Sequence, residues 1–129
     1  MENETIRLIS YQGHQFDIPM QVAKLFCVVR RFMFPGSPIP LSEVTSAELA
    51  KAIEFGVNHI LDPQPDIPAH VLPHNRMMYA VDWVKDMFDD MLSSELIGLY
   101  HAAANLEFPI LLTLTRAAAI ERRNRQLGL

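Results

Sequence analysis

The pattern of apolar and polar residues along the first twenty positions predicts a β-hairpin. Residues 5 to 10 alternate between the two kinds of side chain, residues 15 to 18 alternate again, and the Tyr-Gln-Gly-His segment between them suits a turn. Further along, the run Ile39-Pro40-Leu41 is typical of a short edge strand, the place in a sheet that tolerates proline. We therefore expect a small sheet of three strands.

Apolar residues spaced three and four apart predict helices along the rest of the chain. The first helix is expected from Pro19 to about Met33, where the Pro-Gly-Ser-Pro segment that follows breaks it. A second helix begins with a capping box formed by Thr45 and Glu48. The buried stripe expected for this second helix consists of Leu49, Ile53, Val57 and Ile60.

The second half of the chain combines a proline-rich segment with three further helices. Residues 61 to 75 hold four of the nine prolines and no helical period, which predicts an extended surface loop. A short helix is expected from Trp83 to Phe88, a longer one capped by Asp90 or Ser93 and reaching about Asn105, and a last one from Pro109 to about Arg125. The order of elements predicts an α+β fold, with about five helices flanking the sheet in a single domain over residues 1–129.

The last two helices carry more apolar side chains than one buried stripe requires. Their period places one stripe toward the core, namely Leu96, Leu99, Tyr100, Ala103 and Leu106. A second set lies beside this stripe and continues into the last helix: Ile97, His101, Ala104, Asn105, Phe108, Ile110, Leu111, Leu114, Ala118 and Ile120. Burial of one large side chain stabilises by about 1.5 to 3 kcal/mol, so we expect the uncovered set to bind a second molecule. The alternative is a self-contained helix pair that covers the sheet.

Composition and charge narrow the classes of partner. The net charge of −4 argues against non-specific binding to nucleic acid, which needs clustered cations. The single cysteine, Cys27, cannot form an internal disulfide, which favours a reducing compartment. The N-terminus lacks the features of a signal peptide, and no apolar run approaches the roughly 18 residues of a membrane span. The expected location is therefore cytoplasmic or nuclear, away from membranes.

The sequence offers weak candidates for catalytic or metal chemistry. His70 and His74 have the spacing of a helical metal pair, but Pro68 and Pro73 prevent a helix from holding both rings on one face. The five glycines are isolated, so a phosphate-binding loop is absent, and Cys27 lies among apolar neighbours that disfavour its thiolate. We expect no catalytic residue, no metal and no cofactor. An enzyme or metal protein built on the two histidines remains the least favoured alternative.

Several segments, in their order along the chain, resemble one family of proteins. These are "IRLISYQGHQFDIP" at the start, "PIPLSEVTSAELAKAIEFGVNH" and "LDPQPD" in the middle, "DWVKDMF" after them, and "ELIGLYHAAANLEFPILLTLT" near the end. Together they are similar to the small adaptors of cullin-type ubiquitin ligases, the S-phase-kinase-associated (Skp-type) proteins and elongin C. The resemblance implies a BTB/POZ fold and a non-enzymatic adaptor that links a helical partner, such as an F-box-type substrate receptor, to a larger assembly.

The resemblance also implies roles for particular residues. The receptor-facing surface is expected at Leu99, Ala103, Phe108, Leu111 and Leu114, and the cullin-facing positions at His101, Ala104 and Asn105. A groove between the last two helices would accept the partner's apolar helix, with Arg122, Arg123 and Arg125 attracting an acidic flank. At Ala104 and Asn105 the family has an asparagine and an aromatic residue. This difference favours the alternative function, a diverged scaffold that forms homodimers through the same surface or anchors a complex outside ubiquitin ligation.

Overall fold

A computed structural model describes residues 4–31 and 37–128 of the chain. Three strands and seven helical segments lie within these ranges: β1 (Thr5–Ile9), β2 (Gln15–Pro19), α1 (Met20–Ala23), α2 (Cys27–Arg30), β3 (Ile39–Pro40), α3 (Ser46–Leu61), a 3₁₀ helix (Pro73–Tyr79), α4 (Asp82–Asp89), α5 (Ser93–Leu106) and α6 (Pro109–Gln126). The expected α+β class with a small three-stranded sheet is confirmed. The helical segments exceed the expected five because the first predicted helix is split and a 3₁₀ helix forms where a loop was expected.

The sheet has the strand order β2-β1-β3 and combines antiparallel with parallel pairing. In the predicted hairpin, Leu8 lies opposite Phe16 and Ile6 opposite Ile18, so one face is apolar and packs on the helices. Gly13 in the turn has a φ of 85°, a left-handed conformation that a side chain would disfavour. The proline-containing β3 pairs in parallel with β1 and lies at the edge, as its sequence predicted.

The helix predicted over residues 19 to 33 is instead two four-residue helices, α1 and α2, so this prediction is wrong. Phe26 leaves the helical conformation, with φ −91° and ψ 98°. Its buried ring packs against Phe108 with the ring centroids 5.4 Å apart, and the backbone N–H of Cys27 donates to the carbonyl of Glu107 at 3.1 Å. These contacts with the turn between α5 and α6 replace the bonds of a continuous helix. The last two residues of the predicted helix lie outside the described ones.

The predicted capping box starts α3, but the predicted buried stripe is only partly right. The hydroxyl of Thr45 accepts from the N–H of Glu48, and the Glu48 carboxylate accepts from the N–H of Thr45, each at 3.2 Å. The buried residues of α3 are Leu49, Ala52, Phe55 and Gly56. Val57 and Ile60 are exposed, because burial of the larger Phe55 ring sets the rotation of the helix.

Phe55 joins the helices to one another through aromatic contacts. Its ring centroid lies 5.5 Å from that of Phe108, 6.3 Å from that of Phe88 and 5.0 Å from that of Trp83. Pairs at these separations contribute beyond their buried area. Buried apolar side chains from β1 through α6 form one hydrophobic core around this cluster.

The proline-rich segment contains a 3₁₀ helix that packs against α6. Residues 62 to 72 lack a helix or strand, as predicted, whereas the prediction of a loop is wrong from residue 73 onward. The 3₁₀ helix suits the sequence because Pro73 occupies its first turn, where a missing N–H costs no internal bond. The segment therefore covers part of the core.

One buried side chain, that of Gln64, holds the two ends of this segment together. Its Nε2 donates to the carbonyl of Tyr79 at 3.1 Å, and its Oε1 accepts from the N–H of Val81 at 2.8 Å. Nearby, Nε1 of Trp83 donates to the carbonyl of Asp62 at 2.8 Å. These hydrogen bonds hold residues 62 to 72 in place although they form no helix or strand. The hydrophobic pattern of the sequence did not predict them.

The three C-terminal helices begin and end within about two residues of the predicted positions. The expected caps of α5 are wrong, because Asp90 ends α4 and Ser93 is already the first helical residue. The side chain of Glu95 instead accepts from the N–H of Leu92 at 2.8 Å. At the other end of α5, Glu107 has a φ of 55°, the left-handed conformation that terminates many helices.

We expect the free energy of unfolding to depend on pH through His59, which lies near the end of α3. Its Nδ1 accepts from the N–H of Gln64 at 3.1 Å, so this nitrogen must be unprotonated. Partial burial holds the pKa of His59 below the 6.5 of a free imidazole, and the nearby Asp66 opposes this effect. The unfolded chain therefore protonates first as the pH falls. The stabilisation by neutral His59 is complete above about pH 6.5 and is lost as the pH falls through the lower pKa of the folded state. Urea titrations at successive pH values measure this loss as a fall in the free energy of unfolding.

The variant His59→Asn isolates this contribution. Asparagine retains an oxygen that can accept from the N–H of Gln64, but it does not titrate in this range. We expect the free energy of unfolding of the variant to decline less than that of the parent chain below pH 6.5. Parallel curves for the two proteins would show that His59 does not contribute.

Candidate partner-binding groove

The five residues predicted to face a receptor are core residues. Leu99 and Phe108 are 1% exposed, and Ala103, Leu111 and Leu114 are 0% exposed. None of them can contact a partner unless the core opens. The prediction that they form a binding surface is therefore wrong for this conformation.

These residues are buried because other elements cover α5 and α6 from several sides. Helices α2 and α3 pack against α5, and the 3₁₀ helix packs against α6. The core-facing stripe that the period placed in α5 is largely confirmed, since Leu96, Leu99, Ala103 and Leu106 are buried and Tyr100 is half-buried. The cover over α6 was not expected, because the proline-rich segment that supplies it has no apolar period.

The cullin-facing candidates lie on the outer face of α5. His101, Ala104 and Asn105 are exposed, and Ile97, one turn before His101, is exposed on the same side of the helix. The His101 ring packs edge-on against Tyr100 at a centroid distance of 5.4 Å. The side chain of Asn105 points toward the carbonyl of Glu43 at 3.5 Å, a long contact. The members of the predicted second apolar set that lie in α5 are therefore accessible to a partner.

A groove of ≈ 390 Å³ lies where the start of α5 faces the end of α6. Its lining residues are Ser93, Leu96, Ile97, Ala119, Ile120, Arg122, Arg123 and Gln126. Leu96 belongs to the core, Ala119 and Ile120 are half-buried, and the Ile97 side chain is 49% exposed. Covering this exposed isoleucine and the partly apolar floor beside it with another apolar group is energetically favourable, because it removes apolar surface from water.

Arg122 is a structural residue as well as part of the groove wall. Its guanidinium donates to the carbonyl of Phe88 at 2.7 Å and to that of Met91 at 2.6 Å. These carbonyls lie at the end of α4 and in the turn before α5, where helix-terminal acceptors need partners. The predicted role of Arg122 as a free steering charge is therefore too simple, although its positive charge still lies at the groove.

The other two predicted steering residues differ from each other. Arg123 lies on the edge of the groove and is exposed. Arg125 forms an ion pair with Glu121 at 3.1 Å and lines an adjoining cleft together with Asp89 and Leu92. The groove thus has a positive edge, concentrated at Arg122 and Arg123, that merges into a cleft of mixed charge.

The residues considered for metal binding do not come together into a site. His70 and His74 are exposed at opposite sides of the transition from loop to 3₁₀ helix. Within residues 4–31 and 37–128, no three histidine, cysteine, aspartate or glutamate side chains are grouped so that they could hold a metal ion. The geometry adds nothing to the hypothesis of a metal protein.

A polar cluster that the sequence did not reveal joins the hairpin to the start of α3. The Ser46 hydroxyl bonds to Nδ1 of His14 and to the hydroxyl of Ser10, at 2.5 and 2.7 Å. The Gln12 side chain accepts from both the N–H and the hydroxyl of Ser46. Because this arrangement satisfies the first N–H of α3 and fixes the hairpin turn, we interpret it as structural. Spacing along the chain gave no signal for it, since the groups are 32 or more positions apart.

Comparison of the sequence with protein-family models and with curated proteins gives no match. Among the described residues, the helices are too short or too polar to cross a membrane.

Proposed function

We propose that this chain is a non-enzymatic protein–protein adaptor that binds a helical segment of another protein in the groove between α5 and α6. The observation that carries the proposal is the half-exposed Ile97 beside the partly apolar floor of that groove. Partner helices that bind in such grooves insert apolar anchors from one face. Ile97 and Ile120 line the groove and offer contacts for those anchors.

The charges at the groove identify the chemistry of the partner segment. Arg123 is exposed at the edge, and the guanidinium of Arg122 lies in the wall. A partner helix with acidic residues next to its apolar face complements both features, which raises the association rate and fixes the orientation. We therefore assign the groove to an apolar helix with an acidic flank.

The finer proposal is a BTB/POZ-fold adaptor of the Skp-type and elongin C kind. The α+β class, the opening hairpin, the short edge strand and the two long C-terminal helices support it. In this proposal the groove residues, rather than the five buried ones, bind the substrate receptor. The exposed His101, Ala104 and Asn105 then face a cullin in a ubiquitin ligase.

The variant Ile97→Glu tests the groove. Glutamate forms helices well and the position is exposed, so we expect the fold to persist. A carboxylate at this position removes apolar contact and repels an acidic flank. We expect at least a tenfold loss of partner affinity, equivalent to about 1.4 kcal/mol. The measurement is quantitative mass spectrometry of proteins that co-purify with the tagged chain from its native cells.

The matched control is Tyr11→Glu, which adds the same charge at an exposed apolar residue in the hairpin turn, away from the groove. This variant should retain the partner. Equal partner recovery with Tyr11→Glu and Ile97→Glu would refute binding in the groove. A cullin in the parent eluate would support the ligase adaptor, whereas a specific partner without any cullin would support an adaptor outside ubiquitin ligation.

A further inference from the structure

The proline-rich segment packs on α6 but contributes little to the core. We call residues 63–80 the cover, because they include the 3₁₀ helix that packs against α6. Among the residues of the 3₁₀ helix, all of which the structure describes, Met77 alone is buried, whereas α5 buries five residues. A segment with few buried side chains opens at a lower free energy than the core beneath it. The cover therefore has the properties of a segment that opens while the rest of the chain stays folded.

The side of α6 beneath the cover is apolar. Ala117 and Ala119 are two positions apart, so they point to nearly opposite sides of the helix. Ala119 lines the groove on the α5 side, yet Ala117 is 0% exposed. Of the described elements, α5 and the 3₁₀ helix pack most extensively along α6, so we assign the burial of Ala117 to the 3₁₀ helix. Leu114, one turn earlier on the same side, is also 0% exposed.

The 3₁₀ helix contacts α6 in the way that a bound helical ligand does. Met77 and Ala80 are buried and Pro73 is half-buried, at positions i, i+4 and i+7. The residues on its outer side are exposed: His74, Asn75, Met78 and Tyr79. Helices that bind in hydrophobic grooves insert their apolar anchors at this same spacing. The cover therefore shows which ligand chemistry this side of α6 accepts, namely a short helix with apolar anchors on one face.

The cover is closed by polar contacts at its two ends. The amide of Gln64, near the start, bonds to the carbonyl of Tyr79 and to the N–H of Val81, at 3.1 and 2.8 Å. The flanking residues Asp62 and Val81 both have non-helical backbone angles. Because one side chain joins both ends, loss of its bonds releases the cover as a unit between these two flanking residues.

We propose that the cover is an intramolecular competitor for a second docking site on α6. The occupant it competes with is an amphipathic helix of a partner protein, with apolar anchors spaced like Pro73, Met77 and Ala80. A tethered segment acts at an effective concentration of roughly 1 mM, so the partner binds weakly until the cover opens. The site lies on the side of α6 away from the groove, so the inference goes beyond the proposed adaptor function and does not depend on Ile97.

Thiol labelling under native conditions measures opening of the cover. In a Cys27→Ser background, Ala117→Cys reports the covered side of α6, and Ala52→Cys is the control. Both alanines are 0% exposed, but α3, which contains Ala52, packs against α1 and α5 instead of the cover. We expect Ala117→Cys to react about tenfold faster or more with a water-soluble disulfide reagent. Leu114→Cys, which adds no volume, replaces Ala117→Cys if circular dichroism shows that Ala117→Cys does not fold.

The urea dependence of labelling provides a second readout. Opening of the cover exposes much less surface than global unfolding, so the rate for Ala117→Cys should rise less steeply with urea than the rate for Ala52→Cys. Equal rates and equal slopes at the two positions would mean that the covered side is reached only by global unfolding. That result would overturn the proposal.

A synthetic peptide of residues 71–81 tests whether the exposed side of α6 binds a helix from another molecule. The acceptor is the Ala117→Cys chain with Gln64→Ala added, which favours the open cover. At roughly 1 mM the peptide should slow labelling about fivefold, because it replaces the cover. The matched control is the same peptide with Met77→Asp, which should not slow labelling. No effect of the first peptide, or an equal effect of both peptides, would overturn the docking site.

These measurements are independent of the groove. Ile97 lies on α5 at the groove and does not contribute to the covered side of α6. Adding Ile97→Glu should therefore leave the protection by the peptide unchanged, whatever that substitution does to partner recovery from cells. Loss of peptide protection in Ile97→Glu would show that the two sites are one and would contradict a second docking site.

Discussion

The substitution Leu111→Asp is expected to unfold the protein rather than to remove a binding surface. Leu111 is fully buried in α6. Truncating a buried leucine costs about 2 to 5 kcal/mol, and desolvating a carboxylate adds several kcal/mol more. Together these costs approach the whole stability of a typical domain, about 5 to 15 kcal/mol. We expect loss of helical circular dichroism and of soluble yield at 25 °C.

Two matched variants make this result interpretable. Leu111→Ala removes the side chain without adding charge and should lower the free energy of unfolding by about 2 to 5 kcal/mol in urea titrations. Leu127→Asp adds the same charge at an exposed leucine beyond the end of α6 and should stay within about 0.5 kcal/mol of the parent. A folded Leu111→Asp protein that had lost only its partner would show instead that Leu111 lies on a surface.

The case of Leu99 and Ala103 shows where the sequence was sufficient. Their three-and-four spacing placed them on the core-facing stripe of α5, and both are buried. The family resemblance placed the same two residues on a receptor-binding surface, which they do not form. Local periodicity was the better guide, because it reports the burial of this particular helix, whereas a resemblance transfers the surface of another chain.

The rotation of α3 about its own axis shows why the spacing of apolar residues alone did not determine which face of the helix is buried. Its apolar residues occur on more than one side, so Leu49 can be combined either with Val57 or with Phe55 in a plausible stripe. The choice depends on contacts with Phe88 and Phe108, which are distant in sequence. Tertiary packing of this kind overrides a local pattern.

The candidate groove was predictable in part. The sequence indicated a groove between the last two helices with arginines beside it, and such a groove exists at the start of α5 and the end of α6. It could not indicate that Arg122 would be held by the carbonyls of Phe88 and Met91, more than thirty positions away. The exposure of Ile97 agrees with its place in the second, uncovered apolar set, whereas Leu111 and Leu114 of the same set are buried.

The substitution Gln64→Ala is expected to destabilise the chain through polar groups left without partners. The Gln64 side chain is 2% exposed, and its amide serves the carbonyl of Tyr79 and the N–H of Val81. Both hydrogen bonds are partly buried, and a buried group that loses its partner costs about 1 to 3 kcal/mol, so we expect a total loss of about 2 kcal/mol. The change should lower the midpoint of urea unfolding measured by far-ultraviolet circular dichroism.

Trp83 provides a local measurement of the same effect, because it is the single tryptophan of the chain and its Nε1 donates to the carbonyl of Asp62 beside Gln64. In Gln64→Ala we expect its fluorescence to shift at lower urea than the helical signal, since the segment before α4 should open first. Gln126→Ala removes the same atoms from an exposed glutamine and should leave both signals unchanged. Identical transitions in Gln64→Ala and the parent would mean that the apolar contacts of the 3₁₀ helix with α6, rather than the buried amide, hold the segment in place.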